Sequence, residues 1–464
     1  MLMLARVVAA LLSGALLAQA YGLNPFWPLA WIAPIPLLIA AIGASRLGAF
    51  FYGALAGVCS LALMFSYLLG FGGPIPVLII ALFKALMWGG LASATRSAAR
   101  HLPAWAAIFV FPALLAGIDT LTAATSPHGT AGALAYSQMD FLPAIQIASL
   151  GGAPAVTFIV ALFASVIALT LTKRALIAAI APVSLIAGSL VFGYLRIAAP
   201  PAETQEAPRA TLLVGDQHLG IPMDWRIVWN AYTPQIERAA DEGRRIVLLP
   251  EKIAHISPGE RGAAIEQLAE IARRRHILII AGVDDEADDG RFNRAFIFTP
   301  DGWDRYDKRH MIPGFESHFD PGAGPYTFEF EGVRYGVAIC KDMDFPALGR
   351  GYAGVTAMLV PAWDFEVDAW YHSRVAMLRG VENGYAIVRS ARQGALTVND
   401  AFGRVIYQAP SGPQTAYNVS IPLNAPGPTL YARIGDVFGW AMLALAALLI
   451  GWSTWARTRA GQGG

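Results

Sequence analysis

Long apolar runs are the feature that most constrains the fold of this chain. A helix of about 20 apolar residues crosses the roughly 30 Å hydrocarbon core of a bilayer. Of the 464 residues, 55% are hydrophobic and only 14% are charged, so much of the chain is expected to lie in lipid. We predict eight transmembrane helices, at residues 4–21, 28–42, 47–69, 76–93, 103–121, 153–171, 176–195 and 437–454.

The basic residues at the helix ends predict the orientation of these segments. Lys and Arg in short loops concentrate on the cytoplasmic side of a membrane. Both termini are therefore expected in the cytoplasm, and the long connection between the seventh and eighth helices outside. Arg196 and Arg433 count weakly against this, but long translocated domains largely escape the rule. The residues on the predicted cytoplasmic side are Arg6, Arg46, Arg96, Arg100, Lys173, Arg174, Arg457 and Arg459.

Two features of the membrane part have alternative interpretations. The first segment also resembles a cleaved signal peptide, with a single Arg6, a short apolar core and small residues at its end. A retained helix is favoured, because cleavage would leave its neighbours to be oriented by weaker cues. Lys84 within the fourth helix would be costly facing lipid. It is expected either to point into the bundle or to extend to the interface.

A shift to ordinary polar composition marks a second region. We predict an N-terminal bundle of seven helices at 1–200, a polar domain at 209–425 and a C-terminal helix at 436–456. In the polar domain, β-rich runs alternate with amphipathic helices, which is typical of an α/β sandwich. The predicted strands are 210–214, 246–250, 277–282, 295–299, 333–340 and 357–361, and the helices 232–243 and 258–275. A net charge of +1 without a basic stripe argues against a nucleic-acid partner.

Three predicted strands end on or lead to reactive side chains. Glu251 directly follows a buried strand, Lys308 follows a strand and turn, and Cys340 ends a strand. Ligand sites in α/β folds usually lie at strand ends. Singly, each residue has an ordinary explanation, as a loop carboxylate, a surface lysine or an inert buried thiol. Jointly, a carboxylate, an ammonium and a thiol at three strand ends indicate nucleophilic catalysis.

The residues around these three groups carry a family resemblance. Residues 307–308 with 313–316, residues 339–346, and residues 379–383 together resemble the carbon–nitrogen hydrolase (nitrilase) superfamily. Seven helices before the domain, one after it, and residues 132–138 resemble the apolipoprotein N-acyltransferase family within that superfamily. The resemblance therefore implies an α-helical transmembrane bundle of about eight helices plus an α/β nitrilase-type sandwich.

That resemblance implies a reaction. Cys340 would be the nucleophile, Glu251 the general base and Lys308 the partner of the oxyanion. A cation lowers a thiol pKa, a carboxylate accepts its proton, and an ammonium stabilises a tetrahedral oxyanion. In the family, a phospholipid acyl donor and a diacylglyceryl apolipoprotein acceptor meet at the bacterial inner membrane. The catalytic domain lies on the periplasmic side, and the thioester chemistry needs no cofactor.

Five further residues are secondary candidates. Glu316 matches a second carboxylate of the family, and Asp342 is expected to support the nucleophile. Trp225, Lys341 and Trp363 are expected at the substrate, although Trp225 also fits simple packing. Lys341 is expected to lower the thiol pKa further, or to bind a phosphate or an acidic acceptor. Trp363, with the nearby Trp370, fits either a lid or an anchoring belt at the membrane interface.

Departures from the family pattern suggest a divergent branch. Lys341 and Asp342 stand where the family has an aromatic residue and Glu, and residues 126–128 replace an aromatic-rich segment. The rival functions are a membrane-tethered amidase with water as acceptor, and a catalytically silent lipid-binding scaffold. No metal is expected, because His310 and His372 lack further metal-type ligands at usable spacing.

Overall fold

The chain forms two compact units. The computed structural model describes residues 2–198, 209–213, 223–413, 416–423 and 425–462. The first of the two units, here called the helical unit, comprises Met1–Ala124, Gly132–Ala198 and Ile434–Gly464. The second, here called the sheet unit, comprises Thr125–Ala131 and Ala199–Arg433.

Seventeen α-helices are present in the described part of the chain. Those of the helical unit are rich in Leu, Ala, Ile and Val, whereas α12 and α13 carry charged faces. The helices are α1 (Leu2–Ala20), α2 (Trp27–Ile32), α3 (Pro34–Ile42), α4 (Arg46–Cys59), α5 (Phe65–Gly72), α6 (Pro74–His101), α7 (Ala104–Ala107), α8 (Val110–Thr125), α9 (Leu142–Ile145), α10 (Ala148–Lys173), α11 (Leu176–Ala198), α12 (Trp225–Asp241), α13 (Arg261–Arg275), α14 (Pro346–Arg350), α15 (Ala369–Asn383), α16 (Leu430–Ile434) and α17 (Val437–Gln462).

The apolar helices coincide with the eight predicted segments. Six spans in the described residues are long and apolar enough to cross a membrane, and two shorter apolar segments lie at Trp27–Ile42 and Arg46–Cys59. The prediction of one continuous helix over 47–69 was wrong, because α4 ends at Cys59 and helix resumes only at α5. At this break the Ser60 hydroxyl donates to the Gly57 carbonyl at 2.7 Å, a local bond that competes with helical hydrogen bonding.

Helices α4 and α6 approach closely through two glycines. Gly53 and Gly57 are four residues apart and so share one helix face. A Cβ atom on Gly53 would lie 2.2 Å from the Trp88 carbonyl oxygen, and one on Gly57 would lie 2.3 Å from that of Lys84. Lys84 points into the bundle, where its ammonium lies 3.7 Å from the centre of the Tyr21 ring. Of the two alternatives for Lys84, the interior position is correct.

The sheet unit contains two β-sheets. One has the strand order β13-β1-β2-β4-β5-β6, with β3 also pairing with β4, and the other has the order β12-β11-β10-β9-β8-β7. The strands are β1 (Arg209–Leu213), β2 (Ile246–Leu248), β3 (Ala254–Ile256), β4 (Leu278–Ala287), β5 (Gly290–Thr299), β6 (Gly302–Asp307), β7 (Tyr326–Phe330), β8 (Val333–Val337), β9 (Ala357–Ala362), β10 (Ala386–Ala391), β11 (Ala395–Asn399), β12 (Val405–Pro410) and β13 (Ala416–Ser420).

Alternating side chains organise these sheets into four layers. Successive residues of a strand face opposite sides of its sheet. Ile246 of β2 and Leu359 of β9 therefore meet in a core between the two sheets. Their neighbours face outward: Val247 packs among residues of α12 and α13, and Val360 among residues of α14 and α15. Since both faces of the central strands are covered, the strands are apolar throughout, and their ends are the places where polar groups emerge.

Replacing Gly53 with alanine tests the α4–α6 contact. The added methyl would overlap the Trp88 carbonyl, so the helices must separate, at a cost on the order of 2 kcal/mol. We expect a lower thermal unfolding midpoint for Gly53→Ala in detergent. Gly90→Ala on α6 is the matched control, because its Cβ would meet no atom within 4 Å. Alanine there favours the helix by about 1 kcal/mol. Equal midpoints for the two variants would contradict this account.

Candidate active site

Three strand ends bring a carboxylate, an ammonium and a thiol to one site. Glu251 lies just beyond β2, Lys308 directly follows β6, and Cys340 lies just beyond β8. The Lys308 ammonium is fully buried and donates a hydrogen bond to Glu251 Oε1 at 2.8 Å. The charges of both groups act on the Cys340 thiol. The structure thus places all three predicted catalytic residues together.

Glu316 is a second carboxylate on the same lysine. Its Oε2 accepts hydrogen bonds from Lys308 Nζ at 2.7 Å and from the Ile312 amide at 3.0 Å. Its Oε1 accepts from Lys252 Nζ at 2.5 Å and from Asn293 Nδ2 at 2.9 Å. Glu316 is therefore held by four donors, which suits a carboxylate that fixes the position of Lys308.

Asn293 and Lys252 are site residues that the sequence did not reveal. The Asn293 amide donates to Glu251 at 2.6 Å as well as to Glu316, so one neutral group spaces the two carboxylates. Asn293 lies within β5 but before the start of the predicted strand at 295–299. The available signal for it was a polar residue at a position that is buried in the structure. Lys252 directly follows Glu251, but nothing in the sequence indicated that its side chain turns back to Glu316.

One oxygen of Glu251 remains available for proton transfer. Oε1 accepts from Lys308 and Asn293. Oε2 is buried and makes no hydrogen bond among the described residues. The lone pairs of this oxygen are open to a proton from a reacting group. This is the property required of a general base.

The electrostatics of the site keep Lys308 charged and the Cys340 thiol protonated. Burial alone would lower the pKa of Lys308, but Glu251 and Glu316 raise it well above its ordinary value. Burial also raises the pKa of Cys340, and Glu251 adds to this, whereas Lys308 opposes it. The expected lowering by a nearby cation is present, but burial and Glu251 outweigh it. A thiol that reacts as a nucleophile must lose its proton, and Glu251 is the candidate acceptor.

Asp342 fixes the turn that carries the nucleophile. Cys340 has a φ of +45°, a left-handed conformation that costs about 1–3 kcal/mol for a residue other than glycine. Asp342 accepts hydrogen bonds from the Ile339 amide at 3.2 Å and from the His310 amide at 2.9 Å. It also accepts from the Tyr306 hydroxyl at 2.8 Å. The carboxylate therefore ties the nucleophile turn to the segment around Lys308.

Trp363 reaches the thiol through its backbone. Its carbonyl oxygen lies 3.7 Å from Cys340 Sγ and accepts the thiol hydrogen bond. The indole lies beside two cations, with Lys252 Nζ at 5.2 Å and Arg392 Cζ at 4.6 Å from the ring centre. The adjoining Asp364 is buried against Arg389, which anchors this segment.

The other two substrate-binding candidates have different surroundings. Trp225, the first residue of α12, is 5% exposed, packs in the core that contains residues of α12 and α13, and donates its indole N–H to Glu260 at 3.1 Å. The packing alternative describes these contacts, and a substrate contact by Trp225 stays a prediction. Lys341 directly follows Cys340, and its ammonium lies 3.2 Å from His128 Nδ1.

Alkylation of Cys340 tests the balance of charges around the thiol. The thiolate is the reactive form, and the Glu251 charge disfavours it. Glu251→Gln is therefore expected to lower the thiol pKa and move the alkylation midpoint to lower pH. Lys308→Met removes a favourable cation and is expected to move it to higher pH. The measurement is the iodoacetamide rate on the Cys340 peptide by mass spectrometry, and shifts in the same direction would refute this assignment.

Sequence comparisons agree with this fold and site. The profile described as the apolipoprotein N-acyltransferase N-terminal domain matches residues 13–166, and the carbon–nitrogen hydrolase profile matches residues 229–423. The first match lies on the apolar helices, and the second includes Glu251, Lys308 and Cys340. The predicted fold, a transmembrane-type bundle with a nitrilase-type sandwich, is confirmed.

Similar proteins extend over nearly the whole chain. An apolipoprotein N-acyltransferase of Geobacter metallireducens is 25% identical, over 95% of this chain and 94% of its own length. One of Gloeobacter violaceus is 28% identical, over 96% and 93%. An (R)-stereoselective amidase of a Pseudomonas species is 30% identical, but over only 34% of this chain and 62% of its own. The chain is thus a membrane protein that belongs to the apolipoprotein N-acyltransferase family, within the carbon–nitrogen hydrolase superfamily.

Proposed function

We propose that this protein moves a fatty acyl chain from a phospholipid, through a thioester on Cys340, to the N-terminal amine of a lipoprotein. The observation that carries the proposal is the buried Glu251–Lys308 pair acting on the Cys340 thiol. Relatives named apolipoprotein N-acyltransferase, similar over both units, support the choice of substrates.

The first half-reaction forms the thioester. Glu251 Oε2 takes the thiol proton as the sulfur attacks the ester carbonyl carbon, and a carbon–sulfur bond forms. The resulting oxyanion is stabilised by the Lys308 ammonium, an interaction of the kind that contributes about 3 kcal/mol in other enzymes. The ester carbon–oxygen bond then breaks. The departing alkoxide takes the proton from Glu251 and leaves as the lysophospholipid.

The second half-reaction transfers the acyl group to nitrogen. The neutral N-terminal amine attacks the thioester carbonyl, Glu251 takes the amine proton, and a carbon–nitrogen bond forms. The carbon–sulfur bond breaks, and the sulfur recovers a proton from Glu251. The acyl chain is carried on the protein's own sulfur, so the balance closes without a diffusible cofactor.

The setting proposed for this reaction is the inner membrane. The protein would cross it several times and hold the sheet unit on the periplasmic side. The support for this is the charge asymmetry of the short loops, with Lys173 and Arg174 at one end of a helix pair and no basic residue in the loops of the opposite side. Both substrates are lipid-anchored, so a membrane-embedded catalyst reaches them without drawing acyl chains into water.

The rival function is amide hydrolysis. The similarity of part of the sheet unit to a Pseudomonas amidase favours it. Water would then resolve the covalent intermediate, and the helices would serve only as an anchor. The two functions share the nucleophile and differ in what the intermediate carries and what resolves it.

Intact mass spectrometry of the purified protein in phospholipid micelles tests the proposal. We expect the mass of one phospholipid-derived acyl chain on Cys340, and its transfer to a diacylglyceryl peptide that begins with cysteine. Cys340→Ala is expected to abolish both signals, because no thiol remains for the thioester. Cys59→Ala is the matched control and should retain them. A protein that hydrolyses small amides and forms no lipid adduct would instead be the amidase.

A further inference from the structure

Lys341 is a buried cation that directly follows Cys340, and the carboxylate described beside it, on Asp344, lies beyond hydrogen-bond distance. The chain has five lysines, and three of them lie at this site. Lys308 has a Glu251 oxygen at 2.8 Å, and Lys252 has a Glu316 oxygen at 2.5 Å. The carboxylate oxygen described for Lys341, on Asp344, is 4.0 Å from its Nζ, beyond hydrogen-bond distance. Lys341 is nevertheless only 6% exposed.

The neighbouring carboxylates do not supply a bonded counter-ion for the Lys341 ammonium. The oxygens of Asp342 accept from the Ile339 and His310 amides and from a tyrosine hydroxyl, so they are committed to the nucleophile turn. Burial lowers the pKa of the Lys341 ammonium, and Asp344 only partly opposes this. Since a buried charge is stabilised by a bonded counter-ion, this position is suited to an anionic ligand.

His128 supplies a second donor at the same position. Its Nδ1 lies 3.2 Å from Lys341 Nζ. A Lys ammonium can only donate, so Nδ1 accepts and the ring hydrogen is assigned to Nε2. Burial and the Lys341 charge lower the pKa of His128, which keeps the ring neutral and this tautomer defined. The His128 ring is partly covered but more exposed than Lys341, so the pair opens to the surface through the imidazole.

Backbone contacts hold His128 in place. Thr130, two residues after His128, binds the turn after Cys340. It donates its backbone amide, at 3.0 Å, and its hydroxyl, at 2.8 Å, to the Asp344 carbonyl. Gly129 has a φ of +54°, and a Cβ there would lie 2.4 Å from the same carbonyl oxygen. These residues and Lys341 all belong to the sheet unit. The Lys341–His128 pair is therefore a built arrangement and not a chance surface contact.

We propose that Lys341 and His128 bind the phosphate group of the acyl donor. The inference rests on the proposed function and names the part of the substrate that this pair recognises. In a glycerophospholipid, the ester attacked by Cys340 and the phosphate belong to one glycerol unit, and Lys341 is the next residue after Cys340, with adjacent Cα atoms about 3.8 Å apart. An ammonium and an imidazole N–H both donate to phosphate oxygens.

The test compares two acyl donors in the full-length protein. Initial rates of thioester formation on Cys340 are measured by mass spectrometry with phosphatidylglycerol and with diacylglycerol of the same acyl chains. A charge-assisted hydrogen bond predicts that the wild type prefers phosphatidylglycerol by about tenfold or more. Lys341→Met is expected to lose this preference, because its rate with phosphatidylglycerol falls by a larger factor than its rate with diacylglycerol. Lys341→Arg, which keeps the charge, should retain the preference.

Two further variants guard against loss of folding. His128→Ala alters an exposed side chain and is expected to reduce the preference without emptying a buried position. Lys173→Met makes the same chemical change at the end of α10 and should leave the preference intact. The inference is overturned if Lys341→Met keeps the preference for phosphatidylglycerol, or if its rates with the two donors fall by the same factor.

Adding inorganic phosphate tests whether the pair binds the phosphate of a lipid headgroup or a free phosphate anion. At the concentration of the lipid it is expected to change neither rate. Inhibition of the wild type that Lys341→Met removes would identify free phosphate as the ligand and overturn the headgroup assignment. A wild-type protein that forms no thioester with either lipid would refute the proposed function itself, a result distinct from loss of the preference.

Discussion

The burial of the Lys308 ammonium between two carboxylates is the interaction on which the site depends. Lys308 is fully buried and bonded to both Glu251 and Glu316. Removing one partner from a buried ion pair typically costs about 3–5 kcal/mol, because an uncompensated charge remains. Three distant parts of the chain are thereby held to one geometry. The same contact that stabilises the fold also orients the groups to which we assign the chemistry.

In the proposed mechanism, this arrangement keeps the Cys340 thiol unreactive until a substrate is bound. Burial and Glu251 hold the Cys340 thiol protonated, and a protonated thiol oxidises slowly. Reactivity appears only when a carbonyl is in place and the proton passes to Glu251. Two carboxylates on one lysine can then differ in task, since Glu316 is occupied by four donors whereas Glu251 keeps one oxygen without a described hydrogen bond.

The elements predicted from the sequence are those whose buried residues form a periodic or continuous apolar pattern. The apolar helices and six of the strands were predicted because both faces of the segments are apolar. Other strands were missed because they are not apolar throughout: β6, at the edge of its sheet, is mostly exposed, and the interior strand β10 contains Arg389, whose charge is paired with Asp364. The net direction of the thiol pKa shift could not be predicted for a related reason. Sequence shows that cations are nearby, but the depth of Cys340, which decides the sign, emerges only on folding.

The same limit applies to residues joined across the fold. Asn293 and Lys252 take part through partners more than 20 residues away, so no local pattern marked them. Glu251, Lys308 and Cys340 were found because each stands at a strand end and matches a family motif.

The segment Thr125–Ala131 has a wider consequence. It is encoded between two apolar helices, yet it belongs to the sheet unit. An excised hydrolase fragment beginning at Ala199 would thus lack a piece of its own structure, next to its reactive sulfur. Because each unit is built from more than one stretch of the chain, no single cut separates the two units whole.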